Sequence, residues 1–305
     1  MTRALVLAVI VAAAAPAHAF WGNPGRVDGR DPRAVYAPRS VTAVPEAGGM
    51  HWRFETWRGP VHVWLPDGYD RDDAGVVVYV HGYYTPIDRA WKEHRLASQF
   101  AASKLKAAFI APEAPQGGHE GVFWADLGVL LGEVEKRLQE PLGKGPLIAM
   151  GHSGAYRTLL SWIAYRPLAD VVMLDALYDG VEVLQEWLKA TPWVPAGQGN
   201  QGAYGPSSGK ARRASPRPRV PPAHKRLLLV VARSTAELTA ELILPLRRLA
   251  VRVGAVPASP RQLTAKMRTA RVLVLKSQFG HFEIVTSGQV IPVILNATRL
   301  GALAR

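Results

Sequence analysis

Ser153 is the residue of this sequence best placed to attack an electrophile. It stands in AMGHSGAYR, directly after an apolar run and directly before a stretch with helical period. A serine between strand and helix sits on a turn so tight that the residues two before and two after it must be small. Here they are Gly151 and Ala155. The same turn sets the free N–H groups of the helix start beside the serine oxygen, where negative charge is favoured. A serine hydroxyl is a poor nucleophile until a base takes its proton, and that base has to come from a later strand end. His281, in FGHF after ARVLVLKSQ, is the one histidine beyond His224; His51, His62, His81, His94 and His119 all precede the serine.

The imidazole in turn needs a carboxylate to fix its tautomer and stabilise its cation. Asp175 ends the apolar run VVMLD, where desolvation would strengthen its hold on an imidazole. Asp179 lies four residues on, and Glu237 follows the next strand; both stay open as alternatives. Negative charge developing on an attacked carbonyl needs two backbone donors. Gly154, the residue after the nucleophile, supplies one, and the N–H of Tyr83, after the strand-ending His81-Gly82 pair, supplies the other. Aromatics near strand ends (Tyr83, Tyr84, Phe123, Trp124, Tyr178, Phe279) suit an apolar acyl or aromatic pocket. The sequence has no His-x-x-x-His, no phosphate-binding loop and no Asp-rich calcium loop, so neither a cofactor nor a metal is expected.

The elements that would position these groups are read from hydrophobic pattern. Residues 51–57 and 61–66 alternate around Gly59-Pro60 and predict an antiparallel hairpin at a sheet edge. Continuous apolar runs at 75–82, 106–112, 145–153, 169–177, 225–234 and 270–278 suit strands buried on both faces, hence a parallel sheet. Helical period predicts helices over 89–105, 124–142, 154–167 and 237–253, with Pro245 kinking or breaking the last. The fold class is therefore α/β: a mostly parallel central sheet with helices on both faces and an antiparallel N-terminal hairpin. On such a sheet, chemistry gathers at the carboxyl ends of the strands, where all the residues above fall.

Composition sets the surroundings. The chain of 305 residues has no cysteine, which excludes a disulfide framework, a thiolate metal site and a cysteine nucleophile. Its N-terminus reads as a signal peptide over 1–19: Arg3, an apolar run, then Ala17 and Ala19 before a cleavage point at Phe20. The mature chain, 20–305, is expected to be one exported domain, secreted or periplasmic, without a membrane span. The net charge of +13 is uneven: residues 1–186 carry −3, 187–282 carry +15 and 283–305 carry +1. Within the basic third, residues 191–226 are rich in Gly, Pro, Ser and Arg and read as a long loop. Weak binding of an anionic cell-surface polymer to 187–282 is one reading of that charge and a solvated insertion the other; no specific nucleic-acid site is expected.

Taken together, VWLPDGYD, VYVHGYY, GHSGA and FGH, in this order over roughly residues 50–300, resemble the α/β-hydrolase family, and the opening segment is similar to that of secreted esterases. Ala155 stands where the family usually has glycine, and the usual place of the acid after the seventh strand holds no aspartate. An acid after the sixth strand is the arrangement of some lipases in the family, and LDALYDG resembles it. The resemblance also implies a lid or cap after the sixth strand, here 180–224. It implies an exported serine esterase acting on a small acyl ester through Ser153, His281 and Asp175. A peptidase or amidase of the same fold, and a catalytically silent module binding anionic polymer, are the alternatives.

Overall fold

The computed structural model describes residues 42–189 and 225–303. The expected signal peptide, its cleavage point and most of the basic loop fall in residues 1–41 and 190–224, outside the described residues.

Ten strands form one sheet. In chain order they are β1 (Val44–Pro45), β2 (Gly49–Thr56), β3 (Gly59–Pro66), β4 (Gly75–Val80), β5 (Ala107–Pro112), β6 (Leu147–His152), β7 (Leu168–Leu174), β8 (Arg226–Val231), β9 (Val251–Ala255) and β10 (Val272–Lys276). Their spatial order is β1-β2-β3-β5-β4-β6-β7-β8-β10-β9. β2 and β3 pair antiparallel from Gly49↔Pro66 to Thr56↔Gly59, β3 is antiparallel to β5, and from β5 onward every pairing is parallel. The expected edge hairpin and parallel centre are both present.

The helices are α1 (Ile87–Glu93), α2 (Leu96–Ser103), α3 (Leu127–Leu138), α4 (Tyr156–Trp162), α5 (Val181–Lys189), α6 (Ala236–Ile243), α7 (Ala265–Thr269), α8 (Glu283–Thr286), α9 (Val290–Ala297) and α10 (Arg299–Leu303). Strand side chains alternate between two apolar layers. Val76, Val78 and Val80 face one layer with Leu127, Leu130 and Trp162 from α3 and α4, and Leu184 from α5. Val77 and Tyr79 face the other with Trp91, Phe100, Val285 and Ile294 from α1, α2, α8 and α9. Each fully buried aliphatic side chain contributes about 1.5–3 kcal/mol, which explains why the six residues of β4 are all apolar or glycine and all buried.

Two helices differ from expectation. The helix expected over 89–105 is two, because Arg95 takes a left-handed φ of +50°. The break is bridged by Gln99, whose buried amide donates to the carbonyls of His94 (2.6 Å) and Val285 (2.7 Å). The helix expected over 237–253 stops early. Pro245 has no N–H to continue it, the chain closes in a 3-10 turn over Leu244–Leu246, and Val251–Ala255 leaves as the edge strand β9 on β10. The segment expected as a lid begins with α5, which buries Val181, Leu184, Trp187 and Leu188. The three C-terminal helices were not anticipated from the sequence; VIPVILNA of α9 is buried nearly all round.

Candidate active site

β6 runs straight into a 3-10 turn, Ser153–Ala155, and then into α4. Ser153 itself has φ +52°, a conformation that costs a non-glycine residue about 1–3 kcal/mol and persists only where the surroundings enforce it. They do so by close approach. A Cβ on Gly151 would lie 2.7 Å from Ala155 Cβ and 3.0 Å from Leu159 Cδ1, so the turn closes only with glycine at 151. Ala155 is 2% exposed and faces the same contact. As the opening residues of a helical segment, Ser153, Gly154 and Ala155 have N–H groups without an intrahelical acceptor.

The loop after β4 lies against this turn. A Cβ on Gly82 would stand 3.0 Å from Ser153 Cβ, and one on Gly154 would fall 2.4 Å from the Tyr83 ring. β4 and β6 are neighbours whose outgoing connections lead to opposite sides, β4 to β5 and β6 to β7. A crevice opens at such a switch point, and Tyr83 and Gly154 flank it. The loop is held from below by His81, which is fully buried. Its Nδ1–H donates to the Gly82 carbonyl (2.7 Å), and its Nε2 lies 2.9 Å from Glu113 Oε1. Glu113 Oε2 accepts from the Ile87 N–H at the start of α1 (3.0 Å). From the other side, Arg157 Nη1 donates to the Tyr83 hydroxyl (3.3 Å) and the Gly118 carbonyl (2.8 Å).

Asp175 follows β7 at φ +46° and is fully buried. Its Oδ2 accepts from His281 Nδ1 at 2.6 Å and from Ser234 Oγ at 2.6 Å; its Oδ1 accepts from Thr235 Oγ1 (2.5 Å) and the Ala232 N–H (3.0 Å). Burial pushes its pKa up, but the hydrogen bonds from His281, Ser234, Thr235 and Ala232 outweigh burial and hold it down at about 2. Asp175 is therefore ionised at neutral pH. The other two candidate acids stand elsewhere. Asp179 is exposed and caps the Gly180 N–H (2.6 Å), and Glu237 is exposed in the first turn of α6.

His281 packs against two neighbours beside the Ser153 turn. His152, next to Ser153 in the chain, donates from Nε2 to the His281 carbonyl (2.9 Å) and packs its ring 4.6 Å from the His281 ring. Burial, with the nearby His281, presses the His152 pKa down to about 3, so it stays neutral and keeps that bond. Tyr178 stands edge-on to His281 at 6.3 Å, and its hydroxyl donates to Ser234 Oγ (3.3 Å). His152, His81 with Glu113, and Arg157 were absent from the sequence reading as site residues. For His152, His81 and Glu113 the one signal was adjacency to strand ends; Arg157 lies in α4 and carried none.

The aromatic residues divide. Tyr84 and Tyr178, with Phe282, are exposed around the crevice, whereas Trp124 is buried and Phe123 and Phe279 pack on the core. A cavity of about 430 Å³ among Glu46, His51, Arg53, His62, Asp88 and Trp91 lies on the hairpin side, separated from β6 by β5 and β4. Among the described residues no group of His, Asp or Glu is arranged to hold a metal ion, and no helix is long and apolar enough to cross a membrane.

Strand order, antiparallel start, turn and crevice define the α/β-hydrolase fold, and this chain has it. It is similar in structure to an S-formylglutathione hydrolase from Agrobacterium tumefaciens, with a TM-score of 0.51 and 9% identity over 87% of this chain and 98% of that one. A feruloyl esterase module from Clostridium thermocellum complexed with sinapinate matches with a TM-score of 0.48 and 10% identity, over 84% and 94% of the two chains. A fluorophosphonate-binding serine hydrolase from Staphylococcus aureus matches with a TM-score of 0.47 and 12% identity, over 87% and 97%. Comparison of the sequence with protein-family models gives no match, and comparison with curated proteins gives none.

Proposed function

We propose that the chain is a serine hydrolase that cleaves carboxylic esters of small acyl substrates through Ser153, His281 and Asp175. The observation that carries this reading is the buried, ionised Asp175 bonded to His281 at 2.6 Å, with His281 packed beside the strained Ser153 turn. In the first half-reaction His281 takes the Ser153 proton as Oγ adds to the acyl carbonyl. The N–H groups of Tyr83 and Gly154 hold the oxyanion, and collapse expels the alcohol, which takes its proton from His281. Water then adds to the acyl-enzyme with His281 as base, and the carboxylic acid leaves. Each oxyanion donor in such a site is worth about 10²–10³ in rate. Nothing in the constellation requires a cofactor.

The name of the S-formylglutathione hydrolase it resembles agrees with a hydrolase reaction. Export, and weak attraction of anionic surface polymer to residues 187–282, rest on the sequence alone. The test is turnover of short p-nitrophenyl esters against the matching aminoacyl p-nitroanilides, by the wild type and Ser153→Ala. Ester turnover that disappears in the variant supports the reading; ester turnover that survives it overturns the assignment, and a preference for the anilides turns it toward a peptidase.

A further inference from the structure

The peptide unit between Gly82 and Tyr83 carries the N–H assigned above to the oxyanion, and the bonds around it fix its direction. Its carbonyl accepts from the buried His81 Nδ1 (2.7 Å). Because the unit is planar and trans, the Tyr83 N–H must point the opposite way, away from His81. The next unit is tied as well: Tyr84, at φ +67°, donates its N–H to the Gln116 carbonyl (2.9 Å) on the loop after β5. Neither bond fixes the distance from this loop to Gly154, the other donor, because Gly154 belongs to the turn that opens α4. The Tyr83 side chain spans that gap. At one end its ring lies so close to Gly154 that a Cβ there would meet it at 2.4 Å. At the other its hydroxyl accepts from Nη1 of Arg157 (3.3 Å), one turn beyond Gly154, and the same nitrogen donates to the Gly118 carbonyl (2.8 Å).

We propose that Arg157 is a positioning residue for the oxyanion site: its guanidinium clamps the loops after β4 and β5 onto the first turn of α4 and so sets the spacing of the Tyr83 and Gly154 N–H groups. A guanidinium suits this work. It presents several donors in one rigid plane, so a single nitrogen serves a phenol from one loop and a carbonyl from another. Hydrogen bonds from a charged donor are also about twice as strong as neutral ones. In this role Arg157 never touches the substrate. It acts before a carbonyl arrives, by keeping two donors converged on one point, where a displacement of about 1 Å costs about 10²-fold in rate. The inference rests on the ester-hydrolase reading above, with Tyr83 and Gly154 as its donors.

Arg157→Met removes the guanidinium and keeps an aliphatic stem. With p-nitrophenyl acetate, kcat should fall at least tenfold with KM within twofold of the wild type, in protein folded by circular dichroism. Tyr83→Phe removes only the hydroxyl and keeps the ring on Gly154; it should lower kcat at least threefold, and Arg157→Met added to it should cost less than in the wild type. A side chain that merely packs α4 would lower the melting temperature and leave kcat of the folded variant unchanged. A fall of less than tenfold, a loss that appears in KM instead, or an equal cost with and without the phenol hydroxyl overturns the proposal. Should Arg157→Met not fold, Tyr83→Phe decides alone, a fall of threefold or more supporting the clamp and a smaller one overturning it. Ser153→Ala separates the two levels. If it keeps turnover, the ester-hydrolase reading has failed; if it is inactive while Arg157→Met matches the wild type, only the clamp has.

Discussion

Replacing Asp175 by asparagine is the most informative single change at this site, because the structure dictates which way the new amide must face. The carboxylate accepts four hydrogen bonds, two on each oxygen. One donor, the Ala232 N–H, is backbone and cannot reverse. An amide nitrogen turned toward it would set donor against donor inside a buried pocket, at about 1–3 kcal/mol. The amide oxygen therefore takes the Oδ1 position, keeping Ala232 and Thr235, and the NH₂ takes the Oδ2 position. Ser234 can rotate its hydroxyl and accept from it. His281 has no such freedom: facing a donor, Nδ1 must become the acceptor, and the ring proton moves to Nε2, the nitrogen that has to receive the Ser153 proton. The base is then blocked by its own tautomer. In trypsin-like serine proteases such a change lowers kcat by about 10⁴, equivalent to about 5 kcal/mol of transition-state stabilisation. The expected outcome is a loss of that order in kcat for p-nitrophenyl acetate, with a KM near the wild-type value and a folded protein by circular dichroism. Retention of activity within tenfold would show that Asp175 does not set the His281 tautomer, and the reasoning from donor geometry would be wrong.

Two further outcomes follow. In Gly154→Ala the new Cβ meets the Tyr83 ring at 2.4 Å and pushes the two oxyanion donors apart, so kcat should fall about 10²–10³ while KM changes little; steady-state kinetics showing an unaltered kcat would count against Tyr83 and Gly154 as that pair. Acid should destabilise the protein in a window set by histidines. Burial depresses His62 and His94 to about 4, and burial with His281 nearby depresses His152 to about 3. The unfolded chain binds these protons from pH 6.5 downward and the folded chain does not, so stability is full above 6.5 and falls toward pH 4, by about 2–3 kcal/mol for each residue. The contribution of Asp175, whose pKa is lowered from 3.8 to about 2, is lost only in the separate window below pH 3.8. Urea midpoints at pH 7, 5.5 and 4.5 should decline steadily, and a flat series would refute the depressed histidines.

The sheet and its edge hairpin were legible in the sequence, and so was the local setting of the candidate site. Ser153, Gly151 and Ala155 could be read because a turn this tight leaves a mark on the chain itself: a small residue on each side, between an apolar run and a helical one. Asp175 stood ahead of Asp179 and Glu237 because it directly ends an apolar strand, where desolvation would strengthen its hold on an imidazole. What could not be read depends on contacts between distant parts of the chain. The break at Arg95 is bridged by the Gln99 amide, which donates to the carbonyls of His94 and of Val285, 186 residues away. β9 is a strand because β10 offers it a partner, and nothing in its own five residues outweighs the helical period leading into it. His152 gained its place from a carbonyl 129 residues later. Tyr178 read as one aromatic among many until its hydroxyl met that of Ser234.

The central claim is that Ser153 is a nucleophile activated by His281 on a hydrolase scaffold. Its most direct measurement is mass-spectrometric mapping of a fluorophosphonate adduct on the intact protein, on Ser153→Ala and on His281→Ala. The expected result is a single adduct on Ser153 of the wild type, none on the serine variant, and labelling of the histidine variant slowed by orders of magnitude. An adduct on a different residue, or undiminished labelling without His281, would contradict it.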